Sequence, residues 1–273
     1  MERDWAEQAR ARVIGGEAVA LVTLTGVKGS APREAGAQML VWRQGQAGTI
    51  GGGNLEFVLT RDARSLLSEG RDSAECDYPL GPILGQCCGG RVAARIEALT
   101  RASVDELCGV AQSAAAAQPA LYLFGAGHVG EAMARAMAPL PFQLRWRDTR
   151  EAFCGAARLT DDPRVDVATA PAGSFYLVLT HNHDLDYEIV RAVLARDDAA
   201  YCGLIGSRSK RVRFERQLRA DGLAGEVRKL TCPIGGSIGL KGKSPAVIAA
   251  ATIAEVLLVL EARQARAEAP AYA

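Results

Sequence analysis

Apolar and polar positions alternate along residues 17–27, EAVALVTLTGV, with β-branched side chains among them, and this predicts a strand. A second strand is predicted over AQMLVWR (37–43) and a third, half-exposed, over RVAARIEAL (91–99). Helical spacing marks residues 2–15, residues 54–70, where Asn54 reads as the N-cap, and the alanine-rich 103–117, which ends before Pro119. From Ala120 the rhythm changes. Short continuous apolar runs, ALYLFG, FQLRWRD (142–148), SFYLVLT (174–180) and AAYCGLIG (199–206), take turns with helical stretches, HVGEAMARAMA, DYEIVRAVLAR and SRSKRVRFERQLRADG. That alternation predicts a parallel sheet covered by helices on both faces. A last helix is predicted over 245–265. The fold class read from the pattern is α/β. A Rossmann-like doubly wound parallel sheet occupies 119–273, and a smaller N-terminal α+β domain occupies 1–118.

Composition narrows the class. Of 273 residues, 49% are hydrophobic and 23% charged, as in a globular chain able to bury a core. The net charge of +1 creates no global field that would draw the chain to nucleic acid or a membrane surface, so neither is expected as a partner. The longest apolar run, Val247–Leu260, is interrupted by Thr252 and Glu255 and reads as a buried helix. The charged first residues do not read as an export signal, and seven cysteines without a small secreted frame predict free thiols in a reducing cytoplasm.

The clearest chemical signal is LYLFGAGHVG. Gly125, Gly127 and Gly130 form G-x-G-x-x-G directly after a strand and at the opening of a helix. In that setting the first glycine makes the turn, the second admits a phosphate to the backbone and the third lets helix and strand pack closely. Asp148 ends the next strand, 18 residues after Gly130, where an acid can bond a ribose hydroxyl; Arg147 and Arg150 flank it and could favour a 2′-phosphate. All three histidines, His128 in the glycine loop and His181 and His183 in THNHD, are predicted at the carboxyl edge of that sheet, with Asp184 as a metal ligand or a helix cap. GSRSKR opens a helix with Ser207, Arg208 and Lys210 in a phosphate-binding arrangement, whereas Arg213, Arg216 and Arg219 read as a solvated basic face. In the first segment, GTIGGGNLE offers Gly51 and Gly52 as a phosphate or pterin cradle, and GSAPRE offers Arg33 to an anion. LGQCCGGRV sets Cys87 and Cys88 side by side, as soft ligands for a metal or as small apolar filling. Cys202 falls in a predicted buried strand and reads as core.

These motifs together resemble the xanthine dehydrogenase accessory proteins of the XdhC/CoxI family. GSAPREAGAQML, GTIGGGNLE and LGQCCGGRV carry the N-terminal likeness; LFGAGHVG, THNHDLDYEIV, YCGLIGSRSKRVRF and CPIGGSIGLKGKSPAVIAAATIAEVL carry the C-terminal one. Two departures stand out: Gly236-Ser237 follows CPIG where an apolar residue is expected, and Ala246 replaces an acid. The resemblance implies a chaperone of the molybdenum cofactor in its molybdopterin form. Such a protein holds the cofactor during sulfuration and inserts it into apo-xanthine dehydrogenase, with a cysteine desulfurase as sulfur donor and a homodimer as the assembly. It thereby implies a maturation factor more than an enzyme. The alternative is an NAD(P)-dependent oxidoreductase that uses the same glycine fingerprint.

Overall fold

Ala20, Val22 and Leu24 project from one face of the first strand, β1 (Val19–Lys28), and Val19 and Leu21 from the other, as a two-residue period requires. The computed structural model describes residues 2–31, 33–80, 90–153 and 156–268. In it the chain divides into two compact units, Met1–Ala116 and Ala117–Ala273.

In the first unit, β2 (Gln38–Trp42), β3 (Gly45–Gly48), β4 (Ser73–Pro79) and β5 (Arg91–Ala98) join β1 in an antiparallel sheet of order β3-β2-β1-β5-β4. Helix α2 (Gly53–Ser68) places Leu55, Leu59, Ala63 and Leu66 on one face of that sheet, against Val22, Met39, Val92 and Ile96. Helices α1 (Glu2–Ile14) and α3 (Arg101–Ala117) serve the other face, where Trp5, Ala9 and Val104 meet Val19, Leu40 and Trp42. Strand β4 was not legible in the sequence. It lies at the sheet edge with no fully buried position, so its alternation of Glu75 and Asp77 with Cys76 and Tyr78 carries little apolar contrast.

The second unit is a six-stranded sheet with every pairing parallel, from β6 (Ala120–Phe124), β7 (Gln143–Asp148), β8 (Arg158–Leu159), β9 (Phe175–Val178), β10 (Tyr201–Leu204) and β11 (Leu230–Thr231). Its order is β11-β10-β9-β6-β7-β8. Tyr122, Phe124, Tyr176, Val178 and Leu204 pack under α5 (Pro163–Thr169), α6 (His183–Arg196) and α7 (Arg208–Ala220). Leu121, Leu123, Phe175 and Leu177 pack under α4 (His128–Met137) and α8 (Pro245–Glu268). Both faces are thus covered and the sheet is doubly wound, as the apolar runs predicted. Strands β8 and β11 are two residues each and α5 is seven, too short for a periodic signal.

Helix α8 is long and apolar enough to span a membrane by composition alone, and one face of it, with Ala249, Val256 and Leu260, packs into the core of this unit. Glu255 in its middle is buried and accepts hydrogen bonds from Tyr201 Oη (2.6 Å), Gly235 N (2.8 Å) and Ser237. Burial works against the Glu255 charge, but these donors outweigh it and hold the carboxyl below its ordinary range. The departure at Gly236-Ser237 thereby has a physical role: Ser237 supplies both its hydroxyl and its amide to Glu255.

Candidate functional site

The order of the second sheet reverses between β6 and β9. The chain runs from β6 outward to β7 and β8, then returns to β9 and continues outward through β10 and β11. Ligands in open α/β sheets bind outside the carboxyl ends of the strands at such a reversal. The glycine loop leaves β6 there, and the THNHD segment leaves β9 there.

Each glycine of the fingerprint answers a different demand. Gly125 has φ 121°, and a Cβ on it would stand 2.2 Å from Leu179 O. A Cβ on Gly130 would stand 2.1 Å from Gly125 O, beneath the first turn of α4. Gly127 has an ordinary φ of −74°, and a Cβ there would meet nothing within 4 Å. Neither backbone nor packing asks for glycine at 127, so the space it leaves is open to a ligand. Gly127 is also the N-cap of α4 and provides no side-chain cap, which leaves the first-turn amides facing that space.

His128 opens α4 and is exposed; His181 and His183 are exposed beyond β9. All three stand at the carboxyl ends of adjacent strands. Among the described residues no group of three or more His, Cys, Asp or Glu side chains is arranged to hold a metal ion. The cap of α6 is Asn182, which accepts from Asp184 N (2.7 Å) and Leu185 N, so the capping expected of Asp184 belongs to its neighbour.

Asp148 reaches the glycine loop by a route that spacing does not show. Its Oδ2 accepts from Ala126 N (2.6 Å) and Arg150 Nη2 (2.9 Å), and its Oδ1 from Arg150 N (2.8 Å) and Nε (2.9 Å). Burial raises the cost of the Asp148 charge, yet Arg150 and the two amides more than compensate and keep its carboxyl below the ordinary range. The Asp148 contribution to stability is therefore full above the ordinary aspartate pKa of about 3.9 and is lost as pH falls through its lower folded-state value. Asp148→Asn should flatten the acid limb of the stability curve of this unit, measured by denaturant midpoints between pH 7 and pH 3. An unchanged acid limb would show that Asp148 is not coupled to folding.

At the start of α7, Ser207 is the N-cap and accepts from Lys210 N (3.2 Å), while Arg208 is exposed. Lys210 does not face solvent beside them. Its Nζ turns inward to Asp186 Oδ2 (2.5 Å) and Ile205 O (3.0 Å). Asp186 is fully buried and also accepts from Thr180 N (2.9 Å) and Thr180 Oγ1 (2.7 Å). Sequence reasoning missed this pair. Of the phosphate arrangement expected of Ser207, Arg208 and Lys210, Arg208 is the cation without a carboxylate partner among the described residues. Cys202 and Cys232 are buried, and burial pushes their thiols up to about 12 and about 11, so both are inert filling.

In the first unit the register gathers three candidate loops at one end of the sheet. Lys28 pairs with Arg91, Arg91 with Pro79, and Met39 with Gly48. The loop carrying Arg33, the Gly51-Gly52 loop and the ends of the 81–89 stretch all leave from that end. Arg33 is exposed. Cys87 and Cys88 lie outside the described residues, but the flanking Leu80 N donates to Gly90 O (2.7 Å). A Cβ on Gly90 would press within 2.4 Å of Ser30 O, in the loop of Arg33. Gly51, Gly52 and Gly53 have φ of 113°, 72° and 68°, a run that glycine alone adopts readily. The expected Asn54 cap is replaced by Gly52, and Glu56 does the capping work. Its carboxylate accepts from Thr49 Oγ1 (2.6 Å), Gly52 N (3.0 Å) and Ile50 N (3.1 Å). Those two amides are therefore engaged by Glu56.

Two family models match this chain: the XdhC Rossmann domain over residues 121–256, and the XdhC and CoxI family over residues 14–79. The chain belongs to the XdhC family. Both clusters of candidate loops lie largely within the XdhC matches, Gly125–Arg208 in the first and Arg33–Gly52 in the second. The uncharacterized protein YqeB of Escherichia coli K12 is 30% identical over 262 residues, 88% of this XdhC chain and 43% of YqeB, so the chain spans under half of that relative. A crystal structure described as a xanthine dehydrogenase from Bacillus halodurans matches with a TM-score of 0.80 over 98% of each chain, at 20% identity. At that identity the likeness is one of fold.

Proposed function

We propose that this XdhC-family chain holds the molybdenum cofactor, in its molybdopterin form, while it is sulfurated, and then inserts it into apo-xanthine dehydrogenase in the cytoplasm. Family membership supports the setting in xanthine dehydrogenase maturation. The observation that carries the binding step is Gly127: its missing side chain leaves an open cradle before the uncapped amides of α4, which suits the phosphate of molybdopterin. His128, His181 and His183 stand at the same edge and can donate to the pterin, and Ser207 and Arg208 close it on the β10 side. Taken by itself, the first unit offers Arg33, Gly51 and Gly52 at one end of its sheet as candidate contacts to the cofactor, and Cys87 and Cys88, outside the described residues, are proposed as soft thiolate donors. The bound group supplies the dithiolene-held molybdenum on which sulfuration takes place, with a cysteine desulfurase as sulfur donor. The working assembly is a homodimer.

The rival is an NAD(P)-dependent oxidoreductase. The strand order and the glycine fingerprint favour it. Against it stands Asp148, whose two oxygens already accept four hydrogen bonds from Ala126 and Arg150, leaving little for a ribose diol. The test is to purify the protein from a host that makes molybdopterin, measure bound molybdenum and pterin, and assay activity transferred to the apo-dehydrogenase. Cys87→Ser, Cys88→Ser and the double variant go through the same assay, and at least the double variant is expected to lose molybdenum. Protein free of pterin that instead binds NADPH tightly and transfers hydride would overturn the chaperone reading. A double variant that holds and delivers cofactor like the parent would remove the thiols from the site.

A further inference from the structure

Helix α7 carries Arg208, Lys210, Arg211, Arg213, Arg216 and Arg219 against the single acid Glu215, five net positive charges on thirteen residues. The whole chain carries one net positive charge, so with five on α7 the other 260 residues together stand at minus four. The imbalance is therefore local. Lys210 is spent on Asp186, and Arg211 and Arg219 share Glu215. Arg208, Arg213 and Arg216 have no carboxylate partner among the described residues and are exposed. Between them stands Val212, 65% exposed. Spacings of four and three residues set Arg208, Val212, Arg216 and Arg219 along one stripe, with Arg213 beside it. The opposite side of the helix, Phe214 and Leu218, is wholly buried in the core.

We propose that this face of α7 is the docking surface for a partner protein that presents an acidic patch of about one helix length. Resting on the functional reading above, that partner is the apo-dehydrogenase. An arginine rim around one exposed apolar side chain has the make-up of a protein interface. A membrane would need a wide apolar face to insert, and α7 has already buried its own. A nucleic acid would need basic charge spread along a phosphate track, whereas here the remainder of the molecule is net negative and thirteen residues of helix span only about 20 Å. The stripe begins at Arg208, at the carboxyl edge of the sheet beside β10, so a partner seated on it stands next to the candidate cofactor edge. Charged rims chiefly set the rate and salt dependence of encounter.

The experiment measures binding of purified cofactor-free xanthine dehydrogenase to the full-length protein at low and high salt. It compares the parent with Arg213→Glu/Arg216→Glu and Arg213→Gln/Arg216→Gln. The parent should bind more weakly as salt rises. The charge reversal should weaken binding at least tenfold at low salt and the neutral pair less, both with a flatter salt response. Circular dichroism and bound molybdenum should stay at parent levels, because neither residue touches the cofactor edge. A reversal variant that binds within twofold of a binding parent overturns the docking surface and leaves the functional reading standing. A parent that binds a DNA duplex or phosphatidylglycerol vesicles more tightly than the dehydrogenase at the same salt overturns the partner class. A parent that does not bind the dehydrogenase at either salt overturns the functional reading together with this surface.

Discussion

Gly125→Ala and Gly130→Ala should each destabilise the Rossmann unit by about 3 kcal/mol or more, because both overpack against rigid backbone and Gly125 in addition has a φ that alanine disfavours. The added methyl meets Leu179 O in the first case and Gly125 O in the second, and neither is a flexible side-chain end that can move aside. Gly127→Val should cost no more than about 1 kcal/mol, the penalty of a poorer N-cap, since its side chain enters open space from an ordinary φ. The same variant should lose molybdopterin, because that space is where a phosphate would approach the amides. Thermal denaturation and bound-pterin content read the two effects separately. Should Gly127→Val prove as destabilising as Gly125→Ala, the loop is built for packing alone. Should it keep full pterin content, the cradle lies elsewhere.

Breaking the Lys210–Asp186 pair should cost about 3–5 kcal/mol, the magnitude for removing one partner of a buried ion pair. In Asp186→Ala the Lys210 ammonium keeps Ile205 O and the face of the Phe214 ring, and Thr180 loses the acceptor of its amide and one of the two acceptors within reach of its hydroxyl. In Lys210→Met the buried Asp186 carboxylate keeps the two Thr180 bonds but loses its countercharge. The double variant Asp186→Leu/Lys210→Met should recover a large share of the loss, since an apolar pair does not leave a charge uncompensated. The consequence extends to the candidate site. Thr180 Oγ1, while donating to Asp186, also accepts from Asn182 N (3.3 Å), so the pair fixes the segment that carries His181 and His183. The double variant should therefore regain stability without regaining full cofactor retention. Single variants that unfold at the parent denaturant midpoint would show that the pair contributes nothing net.

Much of the architecture could be read along the chain because it depends on local rules. The two-residue period of Val19–Lys28, the apolar runs of β6, β7, β9 and β10, and the breaks at glycine and proline are properties of neighbouring residues, and they sufficed to place most elements within a few positions. The glycine fingerprint was equally legible, since its strand, turn and helix occupy one continuous stretch. Elements with little apolar contrast were not legible: β4 at an exposed edge, and β8 and β11 with two residues each. Tertiary structure alone decided the fate of the charged groups. Lys210 looked like a phosphate ligand at a helix start, but Asp186, 24 positions earlier, draws it into the interior. Asp148 looked free for a ribose, but the fold brings Ala126 N and Arg150 onto its oxygens, and in the Gly51-Gly52 motif Glu56 takes the Gly52 amide and Thr49 Oγ1 the Gly51 amide. An apolar side chain signals its burial by itself, because burial alone stabilises it. A charge is buried only where partners converge on it, and that convergence comes from the order of strands in a sheet, which no single stretch of sequence records.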